Sequence, residues 1–286
     1  MSEDRPRVAL IQFPGSNCEW ETKRAAEAAG LACDVFRWNR DAGLLAEYDG
    51  YIVGGGFSYQ DRVRSGVIAT KEPIVRRMFD EVAERGKPVL GICNGAQVLV
   101  EAGLIPGFEP GTVEMALAPN RRDPAHRIAG FCCRWVRLRL ATPPNRCVFT
   151  SELDEGEVFP IPIAHGEGRF TTSDPDVARR LVESGQVVLQ YCGENGEIDD
   201  GPLVNPNGAL LNAAGICNPE GNVMGMMPHP ERASFLRQVP FEISGPWSDK
   251  RLAAQGDPET LLGPGPGRAI FRGLLNALVT AQVAQP

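Results

Sequence analysis

The chain has 286 residues and a mass of 30.9 kDa, enough for one large or two small domains with a sizeable core. Lys and Arg number 29 against 36 Asp and Glu, so the formal charge is −7 and the pI near 5.2, which excludes the basic footprint that nucleic acid or an anionic membrane demands. Hydrophobic residues at 43% and charged residues at 23% exclude a disordered or low-complexity chain.

In chain order, Val8 to Phe13 is nearly continuous in apolarity and predicts a strand buried on both faces. Pro14-Gly15 turns the chain, and Ser16 ahead of Glu19 predicts a capping box for a helix that stops at Gly30. Leu31 to Trp38 and Tyr51 to Gly55 read as further strands. Pro73 opens a helix whose apolar Ile74, Met78 and Val82 share one face, and Gly86 ends it. Pro88 to Ile92 is another buried strand, followed by helical spacing from Gly95 to Ala102. Strand alternating with helix predicts an α/β fold with ligands at the carboxyl ends of parallel strands.

Beyond about residue 108 the pattern changes to period-two segments such as Phe131 to Leu140, predicting antiparallel strands at one side of the sheet. The whole predicts a single domain: a flavodoxin-like mixed sheet, mostly parallel, flanked by helices, with an antiparallel extension. Residues 240–267, with their GPGPG tract, are rich in breakers and predict a loop or lid, whereas 268–283 form an amphipathic helix.

Cysteines occur at 18, 33, 93, 132, 133, 147, 192 and 217 with no C-x-x-C pair, so neither a disulfide scaffold nor a zinc ribbon is indicated. The apolar stretch before Pro14 is too short for a signal-peptide core, and no run reaches membrane-spanning length. Reduced thiols and a cytoplasmic location are the expectation, with no metal, nucleic acid or membrane as partner.

Chemistry concentrates at Gly91-Ile92-Cys93-Asn94-Gly95, where a buried strand meets a helix. G-x-C-x-G in that setting has the construction of a nucleophile elbow: glycines permit a close turn, and the apex side chain stands above the sheet at a helix N-terminus that favours an anion. A buried structural thiol is the competing reading for any cysteine. A thiol nucleophile needs a base, and the histidines are His126, His165 and His229. His229 lies in Met227-Pro228-His229-Pro230-Glu231, where flanking prolines predict extended chain and put Glu231 on the side of the imidazole. Read otherwise, the same residues make a rigid surface turn. Gly54-Gly55-Gly56-Phe57, after the third strand, lets backbone approach a ligand, or is an ordinary glycine turn. His126 sits in a polar stretch that reads as solvated loop. No P-loop or placed G-x-G-x-x-G occurs, so an ATP-dependent step belongs on another polypeptide.

Taken together, G-x-C-x-G-x-Q and a distant H-P-E resemble the class I (triad) glutamine amidotransferases. GGGFSYQD at 54–61, GICNGAQVLVEAGLIPG at 91–107, AHGEGRF at 164–170, NPNG at 205–208 and AGICNPEGNVMGMMPHPER at 214–232 resemble, more narrowly, the glutaminase subunit of phosphoribosylformylglycinamidine synthase, the PurQ family. The resemblance covers about residues 7–232 and the last helix. It implies Cys93 as nucleophile, His229 as acid and base, Glu231 as its orienting carboxylate, Gln97 as a contact to bound glutamine, and backbone N–H groups of Gly55, Gly56, Phe57 and Asn94 as the oxyanion hole. His165 resembles a position near the subunit interface or site mouth. No cofactor is implied on this chain. ATP and Mg2+ are implied on a large PurL-type synthase subunit, with a small PurS-type protein as second partner. The sequence departs from the family in 240–267 and at Ala96, where a larger residue is common. Two other readings stand beside this one. A PfpI-type thiol hydrolase usually carries histidine directly after its cysteine, where this chain has Asn94, and a silent binding module would have little use for all three triad residue types.

Overall fold

The computed structural model describes residues 5–121 and 130–283. His126 lies outside them. Short runs of β-branched and aliphatic residues form β1 (Arg7–Gln12), β2 (Ala32–Arg37), β3 (Gly50–Val53) and β4 (Val89–Ile92), connected through α1 (Glu19–Ala29) and α2 (Pro73–Arg85). α3 (Asn94–Glu101) follows β4 directly. Then come β5 (Ala116–Ala118), β6 (Cys132–Leu140), β7 (Val158–His165), β8 (Arg169–Thr171), α4 (Pro175–Glu183), β9 (Val187–Cys192), β10 (Ala213–Cys217) and β11 (Val223–Met226). α5 (Pro246–Ala253), α6 (Pro258–Leu262) and α7 (Arg268–Val283) close the chain.

The principal sheet has nine strands in the order β2-β1-β3-β4-β11-β10-β9-β6-β7, and β5 pairs with β8 in a two-stranded ribbon. Strands β2 through β11 run parallel, Val89 opposite Tyr51 and Met226 opposite Ile92. From β11 outward the pairing is antiparallel. β3 and β4 lie at the centre, and all of their residues are buried, as continuous apolarity requires for a strand covered on both faces. β11 returns to the middle beside β4, which brings the segment after Met226 next to the segment after Ile92.

Three local features depart from the expectation. Ser16 does not cap α1: its hydroxyl accepts from the Phe13 amide at 3.0 Å, and Cys18 occupies the N-cap position without a side-chain cap. The serine closes the β1 turn, and a hydroxyl serving one amide leaves the helix start to others. Residues 240–267 hold α5 and α6, each begun by a proline after a turn. The Asp257 carboxylate accepts from the Glu259 and Thr260 amides to cap the second. Prolines that punctuate a loop also sit well at a first helical position. Finally, α4 is an element absent from the sequence reading, a helix that Asp174 caps and whose apolar edge, Val177 and Leu181 four residues apart, is buried.

α7 packs against α1 and against the short turn Val148–Thr150. Gly273 makes that approach possible, because a Cβ there would lie 2.5 Å from the Val148 carbonyl oxygen. All eight cysteines are free thiols. No helix among the described residues is long and apolar enough to cross a membrane.

Candidate active site

Cys93 stands between β4 and α3 with φ 51° and ψ −107°, a left-handed conformation for a side-chain-bearing residue. Such a conformation costs roughly 1–3 kcal/mol and persists where packing enforces it. Here the enforcement is visible. A Cβ on Gly95 would collide with the Val53 carbonyl, and one on Gly91 would lie 2.6 Å from a Leu99 methyl, so helix and strand meet too closely for any side chain at either place. The turn therefore lifts the Cys93 sulfur above the sheet at the N-terminus of α3. The sulfur is 3.7 Å from the Ala164 carbonyl on β7.

His229 follows β11 and its amide donates to the Pro162 carbonyl at 2.9 Å, pinning this residue to β7. Its Nδ1 lies 2.5 Å from Glu231 Oε1, and both side chains are buried. Glu231 reaches the ring by a route other than strand alternation. The chain turns at Pro230 into a short 3-10 turn, Pro230–Ala233, and that turn carries the carboxylate back to the imidazole. Burial alone would hold the ring neutral, but the Glu231 carboxylate and the neighbouring sulfurs outweigh it and raise the His229 pKa well above its usual value.

Cys93, His229 and Ala164 line one small cavity of about 150 Å³, together with Gly56, Phe57 and Phe131. A larger hollow of about 510 Å³ under α2, lined by residues that include Phe79, Leu104 and Asn218, has no cysteine or histidine in its lining.

The glycine loop after β3 closes the cavity on a second side. Gly56 has φ +145°, and a Cβ there would fall 2.7 Å from Ser16 Cα, so only glycine fits. Gly55 is held as tightly, a Cβ meeting Cys18 Sγ at 3.0 Å and His229 Cε1 at 3.1 Å. The Phe57 amide donates to the Gly15 carbonyl at 2.9 Å, which corrects its inclusion among the oxyanion donors. Gly55, Gly56 and the Asn94 amide at the start of α3 are left as candidates. Gln97 is buried one helical turn beyond Cys93, its Oε1 accepting from Asn94 Nδ2 at 2.8 Å and its Nε2 donating to the Glu167 carbonyl at 2.7 Å. Asn94 Oδ1 accepts from the Ser58 amide at 3.0 Å, so elbow, glycine loop and the 164–170 segment form one network.

The chain is similar to known proteins. The family model for the CobB/CobQ-like glutamine amidotransferase domain matches residues 5–255. The chain is 48% identical over 267 residues to the phosphoribosylformylglycinamidine synthase subunit PurQ of Methanothrix thermoacetophila, covering 93% of this chain and 95% of the relative. It is 44% identical over 228 residues to the subunit of the same name from Pyrococcus furiosus, covering 80% and 89%.

The chain belongs to the PurQ family of class I glutamine amidotransferases.

A solved structure of PurLQS from Thermotoga maritima includes a chain of the same fold, with TM-score 0.68 and 33% identity over 96% of this chain and 99% of that one. PurQ membership removes the PfpI-type hydrolase from consideration. It also puts the departures in context: Ala96 is fully buried and faces Gly225 of β11, whose own Cβ would lie 3.1 Å from that of Ala96, so a larger residue would need the strand to move.

His165 is buried at the end of β7, with Nδ1 3.1 Å from Asn120 Oδ1, and so does not lie at an open interface or site mouth. Burial and the proximity of His229 push its pKa down to about 3, so it is neutral and structural in character. Sequence reasoning passed over Cys18 and Arg232. Cys18 is buried against the imidazole of His229, and the Arg232 guanidinium donates to its sulfur at 3.1 Å and to Glu21 at 2.7 Å. Nothing in their spacing marks them. The turn after β1 alone carries Cys18 to the ring.

Proposed function

We propose that this member of the PurQ family is the glutaminase subunit of phosphoribosylformylglycinamidine synthase, with Cys93, His229 and Glu231 as its triad. One observation carries the reading: a strained cysteine at a strand-to-helix turn shares a cavity with a buried histidine that is hydrogen-bonded to a buried carboxylate. In this reaction the Cys93 thiolate attacks the side-chain amide carbon of L-glutamine, and the carbonyl oxygen becomes an oxyanion. Amide groups of Asn94, Gly55 and Gly56 are suited to receive it, since backbone donors fixed by tight turns need no reorganisation as charge develops. His229 then protonates the departing ammonia, and water cleaves the γ-glutamyl thioester with the same imidazole as base. Glu231 fixes the ring and balances its positive charge. Gln97, locked at both ends of its amide, shapes the floor on which the substrate rests.

Ammonia is mostly protonated in neutral water and then no longer a nucleophile, so its user must receive it through a sheltered path. That user is a PurL-type subunit which holds ATP and Mg2+ and amidates formylglycinamide ribonucleotide, assembled with a PurS-type protein. The acidic chain has no phosphate-cradling loop of its own, which agrees with such a division of labour.

Covalent labelling with a glutamine-like diazoketone, followed by peptide mapping, tests the assignment, and the adduct is expected on Cys93. A label elsewhere, or none, as a silent binding module would give, overturns it. In the reconstituted complex Cys93→Ala is expected to abolish glutamine-dependent synthesis and to spare synthesis from ammonium salt.

A further inference from the structure

The glutaminase reading gives Cys18 no work, yet its sulfur lies against His229. Sγ of Cys18, a ring nitrogen of His229 and a carboxylate oxygen of Glu231 are all within 4.8 Å of one another, and all three residues are buried. A Cβ on Gly55 would meet the sulfur at 3.0 Å and His229 Cε1 at 3.1 Å, so thiol and ring edge pack on the same glycine. Burial holds the Cys18 pKa above its usual value, which makes the group a neutral thiol. Its S–H donates to Asn17 Oδ1 at 3.1 Å, and its sulfur accepts from Arg232 Nη2, also at 3.1 Å. Glu21 holds the same guanidinium through Nε at 2.7 Å. Glu231 gives Oε1 to His229 Nδ1 at 2.5 Å, while its buried Oε2 has no hydrogen-bond partner among the described residues. A guanidinium is close by, since Arg232 Nε stands 3.9 Å from Oε1. Arginine and a carboxylate so placed ordinarily close to a bidentate pair at about 2.7–2.9 Å. Here the Nη2 that could reach the empty oxygen ends on the thiol instead.

We propose that Cys18 is a positioning residue for His229: its thiol keeps the Arg232 guanidinium off the Glu231 carboxylate, so that the carboxylate's charge serves the imidazole. With both of its oxygens paired to arginine, Glu231 would be neutralised, and a protonated ring would lose its chief support in a buried site. The other groups facing the ring do not replace that support. Cys93 comes from the turn after β4 and Cys18 itself from the turn after β1. His165, on β7, is neutral, and Glu21, on α1, is taken by Arg232. The use made of the protonated ring, as the acid for departing ammonia, rests on the glutaminase reading. The titration of the ring does not, so it is measured without glutamine or a partner.

The chain has three histidines, so ring resonances of the histidine-labelled full chain, assigned with His229→Gln, follow the His229 midpoint by NMR. In the wild type it is expected above the ordinary 6.5. Cys18→Ala should lower it by about one pH unit, the least that loss of a neighbouring opposite charge brings. In an Arg232→Gln background the same substitution should lower it less, because no guanidinium remains to move onto Glu231. Cys18→Ser keeps a group in place and should act in the same direction more weakly. It carries the same comparison across the two backgrounds where Cys18→Ala does not fold. No lowering in the wild-type background, or one as large in the Arg232→Gln background, overturns the proposal. So does a wild-type midpoint at or below 6.5, whereas diazoketone labelling of Cys93 reports separately on the glutaminase reading.

Discussion

At position 93 the backbone decides where the side chain points, since the left-handed φ of 51° is what aims the sulfur away from the sheet. Gly95→Ala is therefore expected to cost about 3 kcal/mol and to remove diazoketone labelling, because the new methyl meets the Val53 carbonyl and the elbow must open. Thermal unfolding and labelling measure the two effects. Glu231→Gln keeps the shape of the turn but loses the charge, so its loss of turnover should be about 10- to 100-fold smaller than that of Cys93→Ala. Steady-state kinetics of the two variants in the complex checks the order. Asp61 offers a pH test away from the triad. Burial, then the neighbouring Glu167, raise its pKa from 3.8 to about 6. Between those values the folded chain binds more protons than the unfolded one, so this group's effect is to lower stability as pH rises from about 4 to 6. Asp61→Asn should remove that slope and stabilise the neutral-pH protein by about 1 kcal/mol, a figure reduced for the solvent that reaches this half-buried group. Denaturant midpoints at pH 4 and 7 decide it.

Among the elements, β11 and α7 decide most. β11 is a short strand, yet its parallel pairing with β4 sets Met226 beside Ile92 and so sets His229 beside Cys93. The pattern of apolar residues reveals such a strand but not its neighbours. Pairing depends on the complete set of strands competing for each edge. α7 was legible from its stripe, and Leu274 at its centre is fully buried. Leu274→Ala is expected to cost about 3 kcal/mol in a denaturant titration, the usual result for a leucine truncated inside a packed core. The misread elements have physical causes as well. Ser16 had the spacing of a cap but was taken by the Phe13 amide, and the prolines of 240–267 began helices where they were read as breaking the chain.

For the molecule as a whole, the cavity opens between Phe57 and Phe131, which are 46% and 53% exposed, a pair of large apolar side chains at the mouth of an otherwise polar site. Under the proposed function this mouth is where a partner that receives ammonia would dock, and aromatic side chains are enriched at such contacts. Phe131→Asp is expected to weaken association with the synthase subunit by about tenfold or more, read by sedimentation of the assembled complex. Residue types and local order were enough to mark the turn at Cys93, the His229–Glu231 pair and the alternating α/β pattern, because each is written in a few neighbouring residues whose backbone and side-chain chemistry is local. The second thiol beside His229, the loss of Phe57 as an oxyanion donor and the burial of His165 were not open to that kind of reading. They depend on which distant segments the sheet order brings together, and that order is settled by packing across the entire core.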